Sequence, residues 1–349
     1  MKPVTIGQRQ VGPGCPIYVI AEAGKNHNGK VELARELVKA ASESGVDAVK
    51  FQSIKTEDLM VRSGLRPAYF DDAVESKESE FDITKKLELP DPAHKPIAAL
   101  ARKMGLHFLS TPEDHGHVEL LAKLKVPAFK VSSLNIDNYP LLRHIASMEK
   151  PMIISTGMAT LGEVETALNT VYDAGCKKVI LLQCTSNYPA KPADINLRAM
   201  VKMGETFDVP VGYSDHTMGI SVSLAAVALG ACLIEKHFTL SKTMDGPDHR
   251  LSAEPEEMKE LVKQIRVVEK ALGSSVKAPT KSELEMKSFK RRSIVATGKI
   301  NKGAVIKEKD VAMKCPGTGL PAKYLDLVIG RKTKRILKED TIITWEDLI

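Results

Sequence analysis

Between Ile17 and Gly273 the chain alternates eight times between a short apolar segment and a longer one of helical periodicity. The apolar segments are "IYVIAEAG", "AVKFQ", "LHFLST", "AFKVSS", "MIISTG", "KVILLQCTS", "VPVGYSD" and "CLIEKHFT". The intervening stretches include "KVELARELVKAASESG", "PAHKPIAALARKMG", "GEVETALNTVYDAG" and a last "EPEEMKELVKQIRVVEKALG". The short segments are apolar throughout rather than alternating, as parallel strands covered on both faces must be. Eight such units predict a (β/α)₈ barrel over residues 1–272, since open doubly wound sheets commonly have about six strands. No GxGxxG opens a helix, which argues against a dinucleotide fold.

The pattern stops near Gly273. "GSSVKAPTKSELEMKSFKRRS" is polar and is expected to be a linker over 273–292. The tail, 293–349, has short segments broken by turns and predicts a small, mostly β domain. A domain of about 60 residues buries little surface and leans on a partner surface.

Composition narrows the function classes. No apolar run approaches the roughly 18 residues of a membrane helix. The N-terminal stretch lacks the apolar core of a signal peptide, so a cytoplasmic protein is expected. The five cysteines are scattered without CxxC spacing, against a disulfide framework or structural zinc. The net charge of +6 is spread out and its densest run, Lys290 to Arg292, is short; no nucleic-acid partner is expected.

In a barrel of this class the C-terminal strand ends build the active site. Here they carry Glu22, Lys50 with Gln52, Ser110 with Thr111, Lys130 with Ser132 and Ser133, Ser155 with Thr156, Thr185 with Ser186 and Tyr188, Ser214 with Asp215 and His216, and His237. Single hydroxyls can be helix caps, but polar groups at all eight ends are costly to bury unless used. Lys50 and Lys130 lie within strand segments. They predict either a cradle for a phosphate or carboxylate, with the hydroxyls, or a pair of snorkelling lysines. His216 and His237 end the seventh and eighth strands, and neighbouring strands lie about 4.8 Å apart. The two imidazoles could share one Mn, Fe, Co or Zn ion, or serve as one structural and one capping histidine.

Ten motifs resemble, in order, those of the sialic acid synthase family, the phosphoenolpyruvate-dependent N-acylneuraminate synthases: "AEAGKNHNG", "AVKFQ", "STPED", "PAFKVSS", "KPMIISTGMATLGEV", "LLQCTSNYP", "DINLRAM", "VGYSDHTMGI", "AAVALGACLIEKHFT" and "GPDHRLSAEP". The tail, "CPGTGL" to "LVIGRK", resembles that family's antifreeze-like (SAF) domain. The resemblance implies a TIM barrel followed by that domain. It also implies a metal-dependent condensation of phosphoenolpyruvate with N-acetylmannosamine, giving N-acetylneuraminate and phosphate by C–O cleavage. A legionaminate-type synthase using a 2,4-diacetamido-trideoxy mannose, or a non-catalytic carbohydrate-binding relative, are the alternatives. By the same resemblance, His216 and His237 hold a divalent metal, Mn²⁺ foremost, with Mg²⁺ or Co²⁺ as alternatives. Lys50, Thr111, Lys130, Ser133, Ser155, Ser186 and Ser214 bind phosphoenolpyruvate. Glu22 handles protons, and Gln52, Tyr188, Asp248 and Phe289 meet the sugar. A domain-swapped homodimer is implied, the tail of one subunit covering the barrel of the other. Three positions depart from the family pattern: Asn135 stands where an acid is usual, Cys315 where an arginine is usual, and Lys25 where an uncharged residue is usual.

Overall fold

The computed structural model describes residues 1–63 and 78–349; residues 64–77, part of the polar insertion after "AVKFQ", lie outside the described residues. A short antiparallel hairpin of β1 (Val4–Ile6) and β2 (Arg9–Val11) opens the chain. The eight apolar segments follow as β3 (Tyr18–Gly24), β4 (Ala48–Ser53), β5 (His107–Pro112), β6 (Phe129–Val131), β7 (Met152–Ser155), β8 (Val179–Cys184), β9 (Val211–Asp215) and β10 (Leu233–His237). They form one parallel sheet in the order β5-β4-β3-β10-β9-β8-β7-β6, and β5 and β6 are spatial neighbours, which closes the barrel. Helices lie between successive strands, from Val31–Glu43 after β3 to Pro255–Leu272 after β10. None of the described helices is long and apolar enough to cross a membrane.

Side chains alternate across each strand, and the two sets have different fates. The outward set, including Val49, Phe51, Phe108, Phe129, Ile154, Leu181 and Ile234, packs against the helix layer in one large core. The inward set begins apolar: Tyr18, Ile20, Ala48, Leu109, Ala128, Ile153, Ile180, Leu182 and Leu233 fill the barrel. One or two inward positions further on, the residues turn polar: Glu22, Lys50, Thr111, Lys130, Ser155, Ser214, Glu235. Register brings these to one level. Glu22 stands opposite Lys50 and His237, Gln52 opposite Thr111, and Ser214 opposite Glu235.

The hairpin was not anticipated. Val4, Ile6 and Val11 pack into the interior core with Tyr18 and Ile20, so it plugs the end of the barrel opposite the polar mouth. Three apolar residues in a short N-terminal stretch give too brief a periodic signal to be read as an element.

The chain divides into two units, Met1–Gly273 and Ser274–Ile349. The stretch expected as a linker carries a helix, Lys281–Lys290, with a capping box between Thr280 and Glu283. Beyond it, β11 (Ser293–Ala296) and β12 (Val311–Lys314) pair antiparallel. Isolated bridges extend this β character, and a separate core gathers Ile294, Ile300, Ile306, Leu320, Val328, Leu337, Ile343 and Leu348.

Ile6 is fully buried. Ile6→Ala is expected to destabilise the barrel unit by about 2–5 kcal/mol, measured as a lowered urea midpoint, with the exposed Gln10→Ala as control. An unchanged midpoint would mean that the hairpin does not seal the barrel.

Candidate active site

The barrel mouth holds a buried network of opposite charges. Lys50 Nζ lies 2.8 Å from Glu22 Oε2 and donates to Thr111 Oγ1 at 3.0 Å. Gln52 Nε2 donates to Glu22 Oε1 at 3.0 Å. Across the barrel, Lys130 Nζ donates to Ser155 Oγ at 2.7 Å. Glu235 joins the two halves: its carboxylate oxygens lie 3.7 Å from Lys50 Nζ and 3.7 Å from Lys130 Nζ, and Ser214 Oγ donates to it at 3.0 Å. Buried charges persist only when paired, and here two cations face two carboxylates.

The members differ in how they hold protons. Burial drives the Glu22 carboxyl up, against the opposing pull of Lys50. Burial also acts to raise Glu235, but Lys130 and Lys50 outweigh it and hold that carboxylate below its ordinary value. Glu235 is therefore a fixed negative charge, and Glu22 is the carboxyl placed to exchange a proton.

The two strand-end histidines meet here. Their rings lie 5.2 Å apart at 65°, and Tyr188 packs against His216, tilted by 33° with centroids 4.3 Å apart. His216 Nδ1 donates to the Thr185 carbonyl at 2.8 Å; burial acts to lower this imidazole, but Cys184 beside it outweighs burial and raises it. Burial lowers His237 to about 3, so it is neutral at ordinary pH. Its Nδ1 is buried without a hydrogen bond, and Asp248 Oδ2 lies 3.9 Å away. Two adjoining imidazoles, one of them with an unanswered buried nitrogen, suit a divalent ion of borderline softness. Among the described residues no group of three or more His, Cys, Asp or Glu is placed to hold a metal ion.

Gly157 follows β7, and its N–H donates to Ser133 Oγ at 2.9 Å. A Cβ there would lie 2.4 Å from Ser186 Oγ and 2.8 Å from Ser133 Oγ. The missing side chain lets both hydroxyls approach the Gly157 backbone closely.

The rim loops are tied together by residues of the "KNHNG" and "GPDH" motifs. Asn26 Nδ2 donates to the Phe238 carbonyl and to Ser252 Oγ, Asn28 Nδ2 to the Asp245 carbonyl, and His249 pairs with Thr239 and Asn28. Asp215 faces outward and takes Lys236 Nζ at 3.0 Å with the Tyr213, Thr217 and Ser223 hydroxyls. That pair braces β9 and β10 rather than serving the mouth.

With this geometry in hand, comparison with known proteins is direct. The model of the NeuB family matches residues 37–277, and that of the SAF domain matches residues 291–349. The chain belongs to the NeuB family. It is 45% identical over 93% of its length to the N,N'-diacetyllegionaminic acid synthase of Campylobacter jejuni, covering 98% of that protein. It is 42% identical over 98% of its length to the enzyme of the same name from Legionella pneumophila, covering 97% of it. Among solved structures, the N-acetylneuraminic acid synthetase of Leptospira borgpetersenii superposes with a TM-score of 0.73 at 32% identity, over 82% of this chain and 95% of that one.

In this NeuB-family barrel, most residues picked out from sequence converge. Glu22, Lys50, Gln52 and Thr111 form one cluster, and Lys130, Ser155 and Ser214 another. Ser133 and Ser186 flank Gly157, and Tyr188 packs on both histidines. Phe289, on the Lys281–Lys290 helix of the second unit, is exposed, as is Cys315, whose thiol donates to the Lys290 carbonyl. Sequence reasoning missed Glu235. Its signal was present: in "LIEKH" it stands two residues before His237, hence on the same face of the strand. It also missed Glu113, which Ser132 and Asn135 hold through hydrogen bonds to Oε2.

For the phosphoenolpyruvate cradle proposed below, Gly157→Ala is expected to weaken binding of phosphoenolpyruvate, and of inorganic phosphate as a competitor, by about tenfold or more (~1.4 kcal/mol) with the melting temperature nearly unchanged. Calorimetric titration checks it; unaltered affinity would remove Gly157 from the anion site.

Proposed function

We propose that the barrel condenses phosphoenolpyruvate with the open-chain form of an N-acyl hexosamine. The products are a nine-carbon 2-keto-3-deoxy sugar acid and inorganic phosphate, released by C–O cleavage. The observation that carries the reading is the pair of buried lysines, linked through Glu235, at the same barrel mouth as two adjoining histidines. Family membership supports it.

In this reading Lys50 and Lys130, with Thr111, Ser155 and Ser214, hold the carboxylate and phosphate of phosphoenolpyruvate, and Ser133 and Ser186, which flank Gly157, complete the cradle. Bound there, C3 of the enol is oriented toward the aldehyde. The π electrons of C2=C3 form the new C–C bond, and the aldehyde oxygen takes a proton, for which Glu22 is the placed donor. Water then adds at C2, and the C2–O bond to phosphate breaks. His216 and His237 would hold the divalent ion, which supplies Lewis-acid polarisation of the aldehyde when bound. Tyr188 and Asp248 lie beside the histidines and would shape the sugar side of the site.

Both relatives named above are diacetyllegionaminic acid synthases, at higher identity than the neuraminic acid enzyme. This favours a 2,4-diacetamido-trideoxy mannose as acceptor over the N-acetylmannosamine that the sequence motifs placed first.

The test is phosphate release from phosphoenolpyruvate with three acceptors: N-acetylmannosamine, its 6-phosphate, and the 2,4-diacetamido-trideoxy mannose. Release is expected with the last, falling to background after EDTA and returning with Mn²⁺. The His216→Ala/His237→Ala double variant should not recover with Mn²⁺. Full activity in that variant would remove the metal assignment, and no release with any acceptor would leave a carbohydrate-binding relative.

A further inference from the structure

Glu113 directly follows β5 at the mouth of the barrel. It is buried, 8% exposed, and among the described residues no cation forms an ion pair with it. Its hydrogen bonds come to one oxygen only: Ser132 Oγ donates to Oε2 at 3.0 Å, and Asn135 Nδ2 donates to the same atom. The orientation of Asn135 is set in turn. Asn138 Nδ2 donates to Asn135 Oδ1 at 3.0 Å, while Asn138 Oδ1 caps the Tyr139–Ser147 helix through Leu141 N. With Oδ1 so used, the Asn135 amide can only present N–H to the carboxylate. Oε1 takes none of these bonds. Glu113 lines an open cavity of about 250 Å³, room enough for several waters.

The charges around it are mixed. Lys50, Lys130 and Lys25 act on it from the positive side. On the cavity wall, Asp58 pairs with Lys55, Asp114 with His117, and His115 with His144. Each of these neighbours has a partner of its own, and Gly116, Asn138 and Leu141 complete the cavity lining.

Resting on the condensation proposed above, we infer that Glu113 is a general base of this site, its Oε1 taking a proton from the water that adds to C2 of the substrate. An O–H bond of that water breaks, its electron pair forms the new C2–O bond, and the proton goes to Oε1. The C2–O bond to phosphate then breaks with its pair on the phosphate oxygen. That oxygen takes the proton, returning Glu113 to a carboxylate. The second water proton leaves as C2=O forms and restores the group that protonated the aldehyde oxygen. Burial raises the carboxyl to about 7, with Ser132 and the two lysines opposing the rise. That value suits a group that must both accept and give up a proton near neutrality.

The experiment is the pH dependence of kcat and kcat/KM for phosphate release in the full-length wild type, Glu113→Gln, Glu113→Asp and Asn135→Ala. The base works deprotonated, so the wild-type rate should rise with pH through an apparent pKa of about 7. Glu113→Gln should lose about 100-fold or more in kcat, with KM for phosphoenolpyruvate little changed and the rising limb gone. Glu113→Asp should retain the limb at lower amplitude. Asn135→Ala removes a donor to the carboxylate, so its limb should move to higher pH, and this variant carries the test if Glu113→Gln fails to fold. A Glu113→Gln enzyme that keeps both rate and limb, or an Asn135→Ala limb that does not move, overturns the inference while leaving the condensation intact. Wild type that releases no phosphate with any acceptor removes the condensation, and the inference with it.

Discussion

The four-charge network of Lys50, Glu22, Glu235 and Lys130 is the constraint on which the rest of the mouth depends. None of these side chains would remain charged if buried alone, since the desolvation cost of an isolated ion is many kcal/mol. Each is answered by a partner from another strand: Glu22 from β3, Lys50 from β4, Lys130 from β6, Glu235 from β10. The network therefore exists only if the barrel closes with the observed register. A one-residue slip of any of these strands would turn its charged side chain toward the apolar helix layer. Closure in turn relies on the interior below, where Ile20, Leu109, Ile153 and Leu182 fill the barrel and the N-terminal hairpin plugs it.

The outward faces solve the complementary problem. β9 and β10 carry a polar residue at consecutive positions, Ser214–Asp215 and Glu235–Lys236, and the pleat separates them. Ser214 and Glu235 join the mouth, while Asp215 and Lys236 neutralise each other on the outer face, both almost wholly buried. Two adjacent strands thus bear two independent buried charge systems. This explains why runs as polar as "YSDH" and "IEKH" can sit in a central sheet.

Much of this was legible in the sequence because the signals were periodic. Eight apolar runs spaced by helical stretches dictate eight buried parallel strands, and the polar residue ending each run marks the mouth. What escaped notice lay where periodicity is silent. The N-terminal hairpin is too short to show a period. Glu235 was overshadowed by His237, although the two-residue spacing places both on one face. Glu113 follows a strand in "STPED", where a charged residue reads as a helix cap. Its neighbour Asp114 is that cap, for the His115–Lys123 helix. Only the fold separates the two: Asp114 turns to the helix N-terminus, and Glu113 turns to Ser132 and Asn135 of the next strand–helix unit. The linker helix was missed for a different reason. Its residues are exposed and mostly polar, and Leu284, Met286 and Phe289 do not line one face, so no apolar stripe announces it.

The charge balance at the mouth also bears on how the anionic substrate proposed above would be accommodated. The lysines are already compensated, so an added anion must displace a carboxylate or meet one that has taken up a proton. Glu235, gripped by both lysines and by Ser214, is the poorer candidate for either. Glu22 is held down chiefly by Lys50, against a burial effect that drives it up. An anion that draws Lys50 away removes that restraint and favours the protonated acid. In the proposed condensation, the arrival of a phosphate or carboxylate in the cradle and the loading of Glu22 with a proton would thus be two sides of one electrostatic exchange, coupled by Lys50.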